Sequence, residues 1–179
     1  MRFDLSTLSS HTPIVESPAT TPPLHAVWTG LWPDESATQS FAAQLAQALQ
    51  TWPGGRAARL ALCGNLGAGK TTLVRHLLRA AGVQGRIKSP TYAVVEPHQA
   101  GTGTSAWPIW HFDFYRFSDP QEWEDAGFRD IFAGPGLKLM EWPDKVAGQL
   151  PPADLVIALH ALDEDQRQVR MSAQTPAGQ

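Results

Sequence analysis

The chain has 179 residues, 42% of them hydrophobic and 17% charged, which is typical of one soluble globular domain and excludes a disordered or fibrous protein. Its longest apolar runs are far shorter than the roughly 18 residues of a membrane-spanning helix, and the single Cys63 excludes an internal disulfide or a cysteine-based zinc site. The net charge of −3 is unevenly laid out, with seven basic and no acidic residues over 56–88 and six acidic residues over 113–130.

The N-terminal residues 1–23 are poor material for a fold. Twelve of them are Ser, Thr or Pro, and their apolar residues are isolated. We expect a disordered tail there, with neither the apolar stretch nor the positive charges of a signal peptide, and hence a cytoplasmic protein. The domain is expected over 24–173, followed by a flexible C-terminus over 174–179.

Strand and helix signals alternate along the rest of the chain. Residues 25–32 predict a strand, and Asp34 or Ser36 caps a helix that ends at the Pro-Gly-Gly of 53–55. An apolar strand over 58–63 and an amphipathic helix over 70–81 follow. Further strands are expected at 91–96, 107–117 and 137–142, with an acidic helical turn over 120–126 and a terminal hairpin over 154–162 and 168–173. This order predicts an α/β domain with a mixed sheet flanked by helices.

Residues 64–71 read Gly-Asn-Leu-Gly-Ala-Gly-Lys-Thr and match the phosphate-binding pattern G-x-x-x-x-G-K-[ST]. Glycines let the backbone curl its N–H groups around phosphate oxygens, and the following helix adds positive charge at its N-terminus. Lys70 is expected to bind the β- and γ-phosphates, and the Thr71 hydroxyl to bind Mg²⁺. The pattern therefore predicts a single P-loop NTPase-like domain whose nucleotide-binding residues are Gly64, Asn65, Gly67, Ala68, Gly69, Lys70 and Thr71.

A second magnesium-handling carboxylate should stand at the end of an apolar strand. Two residues fit this expectation. Glu141 ends the strand-like run 137–140, and Asp113 lies within the run 110–116. A carboxylate at a strand end can also simply hold a neighbouring backbone group or arginine, and position in the sequence does not rank the two.

Several separated motifs accompany the phosphate loop. They are Asp-Glu-Ser-Ala-Thr at 34–38, Lys-Ser-Pro-Thr-Tyr at 88–92, His-Phe-Asp-Phe-Tyr-Arg at 111–116, Asp-Pro-Gln-Glu at 119–122 and Glu-Trp-Pro at 141–143. In content and order they resemble the TsaE (YjeE) family, the P-loop ATPases of bacterial tRNA threonylcarbamoyladenosine synthesis. The resemblance covers residues 34–142 and implies a small P-loop domain with a mixed sheet flanked by helices.

The resemblance also implies roles for particular residues. Glu141 would handle Mg²⁺ together with Thr71, and Thr91 and Tyr92 resemble a switch-like segment that approaches the γ-phosphate. Asp113 resembles a carboxylate needed for hydrolysis, so that it or Thr91 would orient the attacking water. The family's phosphate-loop motif extends to Thr72, which adds this residue to the implied nucleotide-binding set. The first-helix motif, with Glu35 and Thr38, lies near the nucleotide in similar proteins, and Trp142 resembles a tryptophan beside the site. The chain departs from the family at position 65, where Asn replaces the usual Asp.

The implied activity is a slow, partner-stimulated, Mg²⁺-dependent hydrolysis of ATP. The implied partners are TsaD and TsaB, on which ATP binding would dock this chain, with tRNA as a further candidate within the complex. Two other functions fit a phosphate loop: a small-molecule kinase, and a nucleotide-gated binding module that does not hydrolyse.

Three sequence features allow two interpretations each. Arg116 could sense the γ-phosphate or pair with the acids of the following turn. The basic stretch 56–88 could face tRNA or only solvate a helix. Tryptophans could be interface anchors or core residues; the four are Trp107, Trp110, Trp123 and Trp142.

Overall fold

A seven-stranded mixed β-sheet runs through the protein, in the strand order β1-β7-β6-β2-β5-β4-β3. The computed structural model describes residues 27–52, 54–119, 121–175 and 178. The predicted tail over 1–23 lies outside these residues. The strands are β1 (Val27–Trp32), β2 (Arg59–Cys63), β3 (Val95–Ala100), β4 (Trp107–Asp113), β5 (Leu137–Glu141), β6 (Leu155–Ala161) and β7 (Arg167–Ala173).

The four central strands are parallel and the outer ones antiparallel. Strand β2 pairs in parallel with β5 and β6, and β4 pairs in parallel with β5. The edge strands β1 and β3 and the hairpin partner β7 run antiparallel to their neighbours. Because β2, β4 and β5 are parallel, their carboxyl ends meet at one edge of the sheet. The predicted mixed sheet is confirmed.

Helices α1 (Glu35–Thr51) and α2 (Lys70–Ala80) pack on one face of the sheet. The Asp34 carboxylate caps α1 by accepting a hydrogen bond from the Ala37 N–H at 2.9 Å, so that Asp34 rather than Ser36 is the N-cap of this helix. Alternate strand residues such as Leu60, Leu62 and Leu139 point into the core that these helices cover. The remaining strand residues point to the opposite face.

The opposite face carries a second, largely aromatic core. Two short helices contribute side chains to this core, α3 (Gln121–Asp125) and α4 (Arg129–Ala133). Trp123 of α3 is 1% exposed and its ring lies 5.8 Å from that of Phe114. Strand residues of the other parity, Ala61 and Met140, complete this core. The acidic turn therefore folds over buried aromatic side chains and leaves its carboxylates outside.

The structure differs from the sequence prediction in three places. Residues 91–93 form a turn rather than a strand, and β3 begins only at Val95. Strand β4 ends at Asp113 rather than at residue 117, because the Asp113 carboxylate accepts a hydrogen bond from the Tyr115 N–H at 3.0 Å and turns the chain. Helix α4 was not expected, since its five residues are too few to show a helical period.

The segment expected to be a flexible C-terminus, 174–179, begins with residues that are hydrogen-bonded to the domain. The Gln174 N–H donates to the Asp154 carbonyl, and the Thr175 hydroxyl donates to Asp154 Oδ1.

Candidate nucleotide-binding site

The phosphate loop joins the carboxyl end of β2 to the start of α2, and several of its glycines have positive φ angles. Gly64 (φ 139°) and Gly69 (φ 101°) have backbone angles that L-residues rarely adopt. A Cβ at Gly64 would also collide with the Leu159 carbonyl of the adjacent strand β6. Gly69 is the N-cap of α2, so the positive end of that helix faces the loop. The loop backbone thus depends on glycine at these two positions.

The Lys70 side chain folds back into the loop. Its Nζ donates hydrogen bonds to the carbonyls of Gly64 at 2.6 Å and Asn65 at 2.9 Å. The residue is only 4% exposed, and burial lowers the pKa of its ammonium, although the nearby Glu141 and Asp113 carboxylates act in the opposite direction. Asn65 contributes its backbone carbonyl here and is itself an exposed residue.

Thr71 and Glu141 meet at the head of α2. The Thr71 hydroxyl donates to Glu141 Oε2 at 2.8 Å, although the two residues are 70 positions apart in the sequence. The other oxygen, Oε1, lies 2.8 Å from Nε2 of His111 on β4. Glu141 is 2% exposed and His111 is fully buried. Parallel pairing of β2 with β5 brings the end of β5 beside the loop, and this brings the carboxylate to the helix.

Asp113 lies directly opposite Glu141 in the β4–β5 register but has different partners. Its Oδ2 accepts from the Thr91 hydroxyl at 2.7 Å, and the Ser89 hydroxyl lies 3.4 Å away. The turn that carries Thr91 ends at Val94, a β-branched residue at φ 66° whose carbonyl accepts the Asp113 N–H. The chain therefore adopts an unfavourable backbone angle where the Ser-Pro-Thr-Tyr segment meets the carboxylate.

Trp142 follows Glu141 in a left-handed conformation (φ 58°) and precedes a short 3-10 helix over Pro143–Val146. Its ring centre is 3.9 Å from Lys70 Nζ, within the range of a cation–π contact, and 5.0 Å from the ring of Tyr115. The indole thus packs against the ammonium. Trp142 and Lys70 are in contact beside the site.

A cleft opens between the phosphate loop, α1 and the β6–β7 turn. It holds both first-helix residues expected near a nucleotide: Thr38 is buried, and Glu35 is bonded to His76 of α2 at 2.8 Å. The lining residues are Trp32, Glu35, Thr38, Ala68, Gly69, Thr72, Leu159, Glu164, Asp165 and Arg167. Three further residues of the predicted nucleotide-binding set therefore line the cleft: Ala68 and Gly69 of the phosphate loop, and Thr72 of α2.

Arg167 is a site residue that sequence reasoning missed. Its Nε donates to the Ala68 carbonyl of the phosphate loop at 3.1 Å, and its Nη1 donates to three carbonyls of the β6–β7 turn at 3.0 Å each. The guanidinium therefore joins the hairpin turn to the loop. No local motif marks this arginine, because its partner lies 99 residues earlier.

Other singled-out residues lie around this site. The Arg116 guanidinium lies 4.1 Å from the ring centre of Tyr92, and no ion pair of Arg116 occurs within the described part of the chain. Of the two interpretations of Arg116, pairing with the acidic turn is therefore not seen among these residues, and γ-phosphate sensing stays a prediction. Trp107 and Trp123 are core residues. The side chains of Tyr92 and Leu66 are 85% and 75% exposed beside the candidate site.

Comparisons with known proteins agree on one family. A family model described as "Threonylcarbamoyl adenosine biosynthesis protein TsaE" matches residues 32–169. A tRNA threonylcarbamoyladenosine biosynthesis protein TsaE of Haemophilus influenzae is 40% identical over 146 residues, covering 82% of this chain and 89% of that protein. The protein of the same name from Bacillus subtilis is 34% identical over 114 residues, covering 64% of this chain and 68% of that protein.

A solved structure has the same fold. The crystal structure of YdiB from Bacillus subtilis superposes with a TM-score of 0.64 at 24% identity, covering 85% of this chain and 88% of the other. Among the residues described here, none of the helices has both the length and the apolar character needed to span a bilayer.

Proposed function

Because the chain belongs to the TsaE family, we propose that it is the ATP-binding and ATP-hydrolysing subunit required for threonylcarbamoyladenosine modification of tRNA. The family match covers the phosphate loop, the Thr91 segment, Asp113 and Glu141 together. The proposal further holds that ATP binding docks the chain on TsaD and TsaB, that tRNA joins the complex, and that the complex works in the cytoplasm.

The observation that supports this most directly is the hydrogen bond between Thr71 and Glu141. Oxygen ligands suit Mg²⁺, and the pair supplies one hydroxyl and one carboxylate at the head of a helix. Because the Thr71 hydroxyl donates its hydrogen bond to Glu141, the lone pairs of the Thr71 oxygen stay available for a cation. When bound there, Mg²⁺ would neutralise negative charge on the β- and γ-phosphate oxygens.

The phosphate loop would hold the polyphosphate with its amides and with Lys70. In the described conformation the Lys70 ammonium satisfies two loop carbonyls, and we propose that it exchanges these for phosphate oxygens when nucleotide binds. The ATP-binding residues would be those of the loop, with Glu35, Thr38 and Trp142 around them. The cleft beside Thr38 opens next to the start of α2, where a bound nucleotide would lie against the phosphate loop.

Hydrolysis needs a group that orients water in line with the γ-phosphate. Asp113 and Thr91 form one hydrogen-bonded unit at 2.7 Å, and Asp113 stands beside Glu141 at the same sheet edge. We assign the water-orienting role to this unit, with the Asp113 carboxylate as the acceptor. Within the described residues, Arg167 is the arginine that hydrogen-bonds the phosphate loop, and its guanidinium is occupied by backbone carbonyls, in keeping with slow turnover by the chain alone.

Exposed apolar side chains on two loops support nucleotide-dependent docking. Leu66 belongs to the phosphate loop and Tyr92 to the segment bonded to Asp113, and both are largely exposed. Loops that order around a γ-phosphate are a common two-state element, so their side chains can report the bound nucleotide to a partner. We propose that these two residues face the TsaD–TsaB pair.

The deciding experiment is an ATPase measurement on the chain alone, with TsaD–TsaB, and with TsaD–TsaB and tRNA. We expect slow release of phosphate from the chain alone and a clear stimulation by the partners. K70M is the matched negative control, because it keeps the side-chain length without the charge. A rate unchanged by the partners, with no co-purification, would contradict the docking proposal. Formation of a phosphorylated small molecule instead of free phosphate would indicate a kinase.

A further inference from the structure

The His111 side chain makes one hydrogen bond within the described part of the chain, and it is to the carboxylate of Glu141. Strands β4 and β5 are parallel with His111 opposite Leu139 and Asp113 opposite Glu141, so the imidazole reaches two residues along the neighbouring strand on the same face. Nε2 lies 2.8 Å from Glu141 Oε1. An ionised carboxylate only accepts hydrogen bonds, so Nε2 is the donor.

The two oxygens of Glu141 are each held by one donor. Thr71 holds Oε2 and His111 holds Oε1. With both donors present, rotation of the carboxylate about its terminal bond would break two hydrogen bonds in a buried site. Without the His111 donor, only the Thr71 contact would oppose rotation, and Oε1 would be buried and unpaired.

The polar chemistry of His111 is otherwise unused in the described part of the chain. Its Nδ1 is buried and has no hydrogen-bond partner among the described residues, and its ring centre lies 6.4 Å from that of His98. A residue needed only to fill this space could be apolar, like Ile109 on the same face of β4. The polar imidazole therefore lies where its one hydrogen-bond partner among the described residues is the candidate metal ligand, Glu141.

We propose that His111 is a positioning residue that fixes the Glu141 carboxylate toward Thr71 and thereby raises the affinity of the site for a divalent cation. This inference rests on the proposed function, because it takes Glu141 and Thr71 as the cation-handling pair. Groups that hydrogen-bond a metal ligand from behind typically change metal affinity by about 10- to 100-fold when removed. His111 would act only through Glu141 and would not touch the nucleotide.

The test is a Mn²⁺ titration followed by electron paramagnetic resonance, on the full chain with a non-hydrolysable ATP analogue. H111L removes the donor, and H111Q keeps an N–H group at a similar reach. We expect Mn²⁺ affinity to fall about 10- to 100-fold in H111L and to stay within about threefold of wild type in H111Q. H98Q, which alters a neighbouring half-buried histidine without touching Glu141, should match wild type.

Two further measurements separate positioning from damage to the fold. Nucleotide binding in EDTA, measured by calorimetry, should be the same in H111L and wild type, because the loop amides and Lys70 are untouched. In an E141Q background, H111L should cause no further loss of Mn²⁺ affinity. If H111L does not fold, H111N replaces it, since its shorter amide does not reach Oε1.

The outcomes discriminate clearly. Wild-type Mn²⁺ affinity in a folded H111L or H111N would overturn the inference, as would an H111Q variant as weak as H111L. The inference also fails if H111L weakens binding equally in the E141Q background. A wild-type chain that binds neither nucleotide nor Mn²⁺–nucleotide would overturn the proposed function itself. If wild type binds both, the proposed function stands and the variants test the role of His111 alone.

Discussion

The Arg167 guanidinium donates to the Ala68 carbonyl at 3.1 Å and so attaches the β6–β7 hairpin to the phosphate loop. The same group also bonds three carbonyls of its own turn. One planar donor set therefore links a hairpin near the C-terminus to a loop in the first half of the chain. The turn that it holds borders the cleft through Glu164 and Asp165.

We predict that Arg167→Ala weakens ATP binding about 5- to 10-fold, because losing roughly 1 kcal/mol of loop organisation costs about fivefold in affinity. Isothermal calorimetry with ATP measures this directly. Arg170→Ala is the matched control, since Arg170 is an exposed arginine on the same strand. Equal affinities in the R167A variant and wild type would show that the hairpin does not organise the loop.

Lys70→Met should reduce ATP affinity about 100-fold or more. The variant removes the only ammonium inside the loop while leaving the loop amides and glycine geometry in place, and charge-assisted bonds to phosphate are the strong ones. Equilibrium dialysis with labelled ATP measures the effect. Lys145→Met, at a lysine that follows β5, is the control. Retention of tight binding in K70M would contradict the assignment of Lys70 to the phosphates.

Asp113→Asn is expected to retain ATP binding within about threefold and to lose about 100-fold or more in partner-stimulated kcat. Asparagine keeps the acceptor for the Tyr115 N–H, so the turn after β4 should survive. Rates are measured at saturating ATP with TsaD–TsaB present, and thermal unfolding checks the fold. Thr91→Ser is the companion control, because it preserves the hydroxyl bonded to Asp113. A D113N variant with wild-type kcat would remove Asp113 from the mechanism.

The acid stability of the protein should depend on Asp154. Burial raises the pKa of this carboxyl, but hydrogen bonds from Thr175 and Arg59 outweigh it, and the net pKa lies below the usual 3.8. A lowered folded-state pKa means that the ionised group stabilises the fold above pH 3.8 and that this contribution is lost as the pH falls through the folded-state value. We expect Asp154→Asn to cost about 2 kcal/mol in the free energy of unfolding at pH 7.

Urea unfolding of wild type and D154N at pH 7 and at progressively lower pH checks this prediction. The difference between them should shrink as the pH drops below 3.8. The exposed Asp130→Asn serves as the control and should show little change at any pH. A constant difference across the whole range would mean that ionisation of Asp154 does not stabilise the fold.

Features coded by contiguous residues were predictable from the sequence alone. The phosphate loop, the helix that follows it and the terminal hairpin depend on local backbone freedom, helical period and strand alternation. The capping of α1 was predicted as a choice between Asp34 and Ser36, and the structure decides for Asp34. The prediction that a strand begins at residue 91 is wrong. Thr91 lies in a turn and donates a hydrogen bond to the distant Asp113 carboxylate, and the strand begins only at Val95.

The contacts that build the site were decided only by tertiary structure. Glu141 and Asp113 end neighbouring strands and stand opposite each other, so no spacing in the sequence distinguishes them; the resemblance to TsaE favoured Glu141, and the Thr71 hydroxyl does bond Glu141 while Asp113 bonds Thr91. Arg167 and His111 acquire their partners in the same way, across 99 and 30 residues. Strand order and register set these pairings, and both follow from packing of the whole sheet rather than from any local run of residues.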